Sequence, residues 1–403
     1  MQERNRAAVL AAARAEFVER GFRDAKVDVI AARAGLTRGA VYSNFPGKRA
    51  LYFAVLATDA VSAAAAADTA GVIDTAGVGD AAGVGDAAGV GDAAGVGDAA
   101  GSNNAAGSGN AAGSGNAAKS GGAAEWADAV QGAARPISTA RTPRQALAAF
   151  AASWLGDLPL ATDVGPSRLA AELLPVVLAD ERTRRPFAQL TGLTAVLVGL
   201  ALERLLAERS FRPRMVRVAE AALTLLHGAG QLAAAAPGFV DEMVVVDACA
   251  ELAEADFADR WAPPHLPYVA PARPVDQPFL GPLTGDGVLA VLGLHRLTAL
   301  EEAVRAAPRG VAVTAAVVTG EPAELGPLAR LVLADADRHL GAAFPPGARP
   351  TVRIVLDEAG ALAAAAGVTA VSDATEAAIR IRDGRIVARA DGHGAPHAAA
   401  SFV

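Results

Sequence analysis

Cysteine is almost absent: the 403-residue chain has one, Cys249. A single thiol cannot close an intramolecular disulfide, so a stapled scaffold is excluded and a reducing compartment, the cytoplasm, is expected. Long apolar runs are also lacking. The most continuous, around Leu193 to Leu202, falls short of the roughly 18 residues that a membrane span requires. The early "AAVLAAARAEF" is interrupted by Arg14 and Glu16, which would spoil a secretory apolar core. No His, Cys, Asp or Glu cluster has metal-ligand spacing, and neither metal nor cofactor is expected. Nor is the chain a polycation, since its net charge is −7. The charge is unevenly spread. Residues 1–60 hold ten Lys and Arg against six Asp and Glu, a balance of +4, which leaves −11 for the remainder. A basic head on an acidic body is expected if only the head meets a polyanion.

What is present starts in that head. Residues 3–20 read as a helix with Leu10, Ala13 and Phe17 on one apolar edge, closed at Gly21. "VDVIAARAG" gives a short second helix with Val27, Ile30, Ala31 and Ala34 inward and Gly35 at its end. "GLTRGAVYSNFPGKRAL" follows, and its polarity is informative. Thr37 is an N-cap, the third helix runs from about Arg38 to Asn44, and Pro46 breaks it. Only Val41 and Phe45 are placed to face a core. A helix with so narrow a buried edge presents most of its surface to something else. Helix, short helix, glycine turn and short helix form a helix-turn-helix pattern, whose last helix enters the major groove. Gly39 and Ala40 allow close approach. Arg38, Ser43 and Asn44 can reach bases or phosphates, and Tyr42 can donate to a phosphate. Lys48 opens the fourth helix, where the dipole disfavours a cation, so an external anion is expected beside it.

These residues resemble the N-terminal domain of TetR-type transcriptional regulators. The match runs through Phe17, Gly21 and Phe22, then "VDVIAARAGLTRGAVY", then "FPGKRAL". The resemblance implies a DNA-binding surface of Lys26, Thr37, Arg38, Gly39, Ala40, Tyr42, Ser43, Asn44 and Lys48. Lys26 departs from the pattern, since the family usually carries a Thr there. Its charge can replace a phosphate contact, but it cannot cap.

The expected organisation is multidomain. Residues 1–66 are the helix-turn-helix domain. Residues 67–123 are a Gly/Ala hexapeptide linker built from units such as "GVGDAA" and "GSGNAA". An ordered left-handed β-helix is the rival reading, but its few valine hexads make too few coils. Residues 124–261 read as helices and resemble, more loosely, the family's ligand-binding and dimerisation domain. Phe150, Trp154, Leu174, Phe187 and His227 are candidates for a ligand pocket, with a satisfied core histidine as the plainer reading of His227. Met215, Val218, Ala222, Leu225, Val244, Val245 and Ala248 are candidates for a dimer surface, and the core of one protomer is the rival reading. Residues 262–282 hold seven prolines and read as an extended linker.

Residues 283–403 change pattern to β-α-β-α-β-α-β-β, with a hairpin at Asp383-Gly384, and resemble a thioredoxin or peroxiredoxin-like fold. Thiol–disulfide chemistry needs a thiolate, and this segment has no Cys. His295 and His393 have no visible partner for acid–base work. The expected fold class is therefore an all-α TetR-like regulator followed by an α/β thioredoxin-like domain without its cysteines. The expected function is that of a sequence-specific, ligand-responsive homodimeric repressor and not an enzyme. Its partners would be a double-stranded DNA operator and an unknown small-molecule inducer, with no membrane. A DNA-tethered scaffold whose last domain binds a protein, or a redox enzyme, are the alternatives.

Overall fold

The computed structural model describes residues 2–66, 71–74, 142–158, 166–206, 213–264 and 268–402. The head is α1 (Gln2–Asp24), α2 (Val27–Arg33), α3 (Arg38–Tyr42) and α4 (Lys48–Ala66). Gly21 interrupts α1 with φ +73°, a backbone that a side chain resists. Phe17, Phe22 and Tyr52 pack there, with ring centroids 5.5 Å apart for Phe17–Tyr52 and 5.0 Å for Phe22–Tyr52. Gly35 ends α2 at φ +66°.

The next helices are α5 (Pro143–Leu155), α6 (Pro166–Ala171), α7 (Leu173–Leu178), α8 (Glu181–Leu205), α9 (Val216–Ala235) and α10 (Glu242–Leu252). Side-chain caps define the starts of α5, α8 and α10, as the local sequence requires. Thr142 accepts from the Gln145 amide at 3.2 Å, and Asp180 accepts from the Arg182 amide at 2.9 Å. The helical run breaks at Ala179 and Asp180, and Pro186 lies inside α8. Among the described residues α8 is the one helix long and apolar enough to cross a membrane, and 67% of its apolar window is buried inside the protein. It is a core helix here.

The α/β part contains β3 (Gly287–Gly293), α11 (Leu300–Ala306), β4 (Ala312–Val318), α12 (Pro322–Ala343), β5 (Val352–Leu356), α13 (Ala361–Ala365), β6 (Glu376–Arg382), β7 (Arg385–Asp391) and α14 (Ala395–Ala400). Two short strands complete a seven-stranded sheet: β1 (Ile73–Asp74) and β2 (Arg273–Pro278), in the order β1-β5-β4-β3-β6-β7-β2. β3 pairs parallel with β4 and antiparallel with β6. It is buried along its whole length, as its unbroken apolar sequence dictates for a central strand. Asp383 and Gly384 both take positive φ in the β6–β7 turn, which is the geometry expected of Asp-Gly.

Both expected linkers contribute to this sheet. Ile73 and Asp74 pair parallel with Ile354 and Val355, and Asp337 on α12 accepts from the Val72 and Ile73 amides at 2.8 and 3.2 Å. The rest of the hexapeptide reading, residues 67–70 and 75–123, lies outside the described residues. In the proline-rich segment, β2 pairs antiparallel with β7. Its two prolines are tolerated because β2 is an edge strand.

The α/β part is also not a separate bead. One sheet face is covered by α13 through Leu362, Ala363 and Ala366. The other face belongs to a single core that includes Leu292, Leu328 and Leu340 together with Phe17, Tyr52, Phe150 and Leu197. α12 is the shared element, packed against α4, α5 and α8. At its first turn Glu324 accepts from Arg49 Nε at 2.9 Å, and the same guanidinium bonds Asp180. On the other side Arg214 pairs with Glu301 and Asp259, both at 2.6 Å, and Arg305 pairs with Glu203 at 2.8 Å.

Candidate nucleic-acid interface and the body cavity

The head turns a polar face outward. Val41 and Phe45 are each 1% exposed, while Thr37, Arg38, Gly39, Tyr42 and Ser43 are exposed. Thr37 Oγ1 accepts from the Ala40 amide at 3.3 Å and fixes the start of α3. The Arg38 guanidinium lies 3.3 Å from Asp28 Oδ1 and donates to the Tyr42 hydroxyl at 3.4 Å. The Tyr42 hydrogen bond, then the Asp28 charge, hold its pKa above the ordinary arginine value. Ser43 donates to the Ala40 carbonyl at 2.9 Å and keeps acceptor capacity. Lys26 is exposed at the start of α2 and makes no side-chain cap, in keeping with its chemistry.

Two candidates sit differently from the sequence expectation. Asn44 is partly buried, and its Nδ2 donates back to the Ala40 carbonyl at 2.8 Å. It lines a cleft with Arg6 and Arg330, away from the exposed run of α3. The Lys48 ammonium is also occupied. It donates to the Arg23 and Ala25 carbonyls at 3.0 and 2.9 Å and lies 4.8 Å from the Phe22 ring. These acceptors are carbonyls at the end of α1, where a cation is favoured by the helix dipole. Replacing Lys48 by Met should therefore destabilise the protein by about 1–2 kcal/mol, because charge-assisted hydrogen bonds are lost. Chemical denaturation checks this. Unchanged stability with weakened DNA binding would return Lys48 to the phosphate backbone.

A second feature lies in the helical body. A cavity of about 290 Å³ is lined by Trp154, Leu174, Phe187, His227, Asp335 and Arg338, and it reaches α4 at Leu56, Asp59 and Ala60. A smaller space of about 80 Å³ is lined by Trp154, Phe187, His227 and Asp335 as well. The His227 ring stands edge-on to Trp154, with centroids 5.0 Å apart, and to Phe187 at 5.9 Å. Burial lowers its pKa below the usual histidine value. His339 is 3% exposed, bonded through Nδ1 to the Ser153 hydroxyl at 2.9 Å. Burial, then the Arg338 charge, keep it neutral. Arg338 pairs with Asp157 and lies 3.2 Å from Asp335.

Residues 9–55 match the family model for bacterial regulatory proteins of the tetR family. The head is a TetR-family helix-turn-helix domain. No curated protein and no solved structure matches the chain. The TetR-family match ends within α4, so the body and the α/β part stand on their own geometry.

Beyond the TetR-family head, four of the five ligand candidates converge: Trp154, Leu174, Phe187 and His227 all line the cavity. Phe150 does not, being fully buried behind Trp154 at a centroid distance of 6.1 Å. Sequence reasoning missed Asp335, Arg338 and His339. The signal was four polar residues, Asp335, Asp337, Arg338 and His339, close together in "ADADRHL". The dimer candidates separate. Met215, Val218, Ala222 and Val245 are core, exposed by 9% or less, and Leu225 and Ala248 are half-buried. Val244 is 63% exposed, beside Met243 at 60%. His393, which had no visible partner in the sequence, lies with Nδ1 2.8 Å from Arg296 Nη2, and Arg296 pairs with Glu376.

Proposed function

We propose that this chain is a homodimeric, ligand-responsive transcriptional repressor acting in the cytoplasm. The observation that carries the reading is the TetR-family head with an exposed polar α3 on a buried Val41–Phe45 edge. Two heads would enter successive major grooves about one helical turn apart on a roughly palindromic operator. The inducer site is the cavity that α4 helps to line. A ligand there changes DNA affinity only if it binds one head arrangement more tightly than the other. The α/β part is read as a thioredoxin-like module without catalytic cysteines, and the chain is read as a regulator rather than an enzyme. The central parallel strands followed by the β6–β7 hairpin support that fold reading. Selection from a random DNA pool tests the function. Enrichment of an inverted repeat supports it, and a pool without a shared sequence contradicts it.

The dimer surface is assigned to exposed apolar residues on and between α9 and α10: Leu232, Phe239, Met243 and Val244, which are 45–72% exposed. Val244→Glu should convert the dimer to monomer and weaken operator binding by about tenfold or more, since a charge at an interface core is left unpaired. Light scattering after size exclusion reads the outcome. A dimer that persists would place the interface elsewhere.

A further inference from the structure

The cavity in the body has two kinds of wall. Trp154, Phe187 and His227 supply aromatic faces from α5, α8 and α9. The polar groups are Asp59 on α4, Asp157 after α5, Gln231 on α9, and Asp335, Arg338 and His339 on α12. Asp59 is paired with Arg14 at 3.0 Å and Arg338 serves both Asp157 and Asp335, so three carboxylates stand against two guanidinium groups, because burial keeps His227 and His339 below the ordinary histidine pKa. Two groups facing the space are incompletely bonded. Asp335 makes one hydrogen bond, through Oδ1 to Arg338. Its second oxygen has no hydrogen-bond partner among the described residues, although its side chain stays 34% accessible. Neither ring nitrogen of His227 has a hydrogen-bond partner among the described residues. Polar atoms without a protein partner beside aromatic surface fit a ligand that is flat and apolar with one hydrogen-bonding end.

We propose that this cavity binds aromatic amines as organic cations, with the ring system between Trp154 and Phe187 and the ammonium on the free oxygen of Asp335. The inference rests on the reading of the cavity as the regulator's inducer site, and it names the ligand class. Cation–π attraction to the aromatic walls adds to the carboxylate contact. An anion is disfavoured, since the Arg338 guanidinium is already paired with Asp157 and Asp335. The α/β part thus contributes the recognition group of the body's pocket, which explains why α12 is embedded among the helices rather than tethered beside them.

Protonation gives a second handle. Burial raises the Asp335 carboxyl to about 6, and Arg338 only partly offsets this. The groups facing it are Arg338 and His339 on α12, Asp157 after α5, His227 on α9 and Asp59 on α4. A cation binds the ionised form, so affinity for an amine rises as pH increases through about 6.

The test uses the full chain and three probes of one shape, titrated by calorimetry: 2-naphthylmethylamine, 2-naphthylmethanol and 2-naphthoate. The expected order is amine tightest, alcohol weaker and carboxylate weakest, with only the amine gaining affinity between about pH 5 and pH 7.5. Asp335→Asn, a nearly isosteric change, should weaken the amine by about tenfold or more and leave the alcohol unchanged. Equal binding of amine and alcohol, preference for naphthoate, or no binding of any probe would overturn the proposal. The probe comparison on the unaltered protein does not depend on how the variant folds. Repeating the titration with operator DNA separates the two readings. If the amine binds without changing DNA affinity, the inducer reading fails and the cation site stands. If DNA affinity responds to another compound while no amine binds, the cation site fails and the inducer reading stands.

Discussion

Deletion of residues 283–403 should leave a chain that cannot fold, DNA-binding head included. Leu328, Leu333 and Leu340 on α12 are fully buried and belong to one core with Tyr52 and Phe53 of α4 and Phe150 of α5. Removing one such leucine side chain costs about 2–5 kcal/mol. A folded protein is stable by only about 5–15 kcal/mol, so losing three or more exceeds what the remainder can absorb. The truncated chain should be insoluble, or should lack a cooperative transition and near-UV circular dichroism. In the full chain, Leu328→Ala should lower stability by about 2–5 kcal/mol, and one transition should be seen by probes in the head and in the sheet. A deletion variant that melts cooperatively near the parent temperature would show two independent domains.

The second large effect is expected on DNA. Arg38 is exposed, and its contacts are to the Asp28 carboxylate and the Tyr42 hydroxyl on the same face. Arg38→Ala should weaken operator binding about 10–100-fold and relax preference at one base position, because a good base contact discriminates by about 1–3 kcal/mol. Stability should not change, since the side chain packs on nothing buried. Tyr42→Phe, by contrast, should weaken all DNA sequences alike if the phenol meets phosphate. Uniform weakening by Arg38→Ala, with the base preference intact, would move that residue to the phosphate group as well.

The head was legible because its signals are local. Gly21, Gly35, Thr37 and Pro46 punctuate the chain within a few residues of the elements they end or begin, and local rules reach that far. The intramolecular partners of Lys48 were hidden for the same reason. Its carbonyl partners, Arg23 and Ala25, lie at the end of α1, with α2 and α3 between, and helix position alone suggested an external anion. The cavity was half legible. Aromatic residues among helices marked Trp154, Phe187 and His227, but nothing nearby in sequence connects them to Asp335, contributed by a helix far along the chain. The same distance hid the shared core. A proline-rich stretch and a glycine-rich repeat look like linkers by composition, yet Arg273–Pro278 and Ile73–Asp74 each form an edge strand of one sheet. Strand pairing of this kind is fixed by tertiary context, which composition does not report.

The measurement that bears most directly on the regulator reading is binding of the full-length protein to the DNA flanking its own gene, with titrated salt and unrelated competitor DNA. The expected result is tight binding to one segment that survives excess competitor, with half-sites about one helical turn apart in a footprint. Weak binding that fades with salt and ignores sequence would mean that the head holds phosphates without reading bases, and the regulator reading would be wrong.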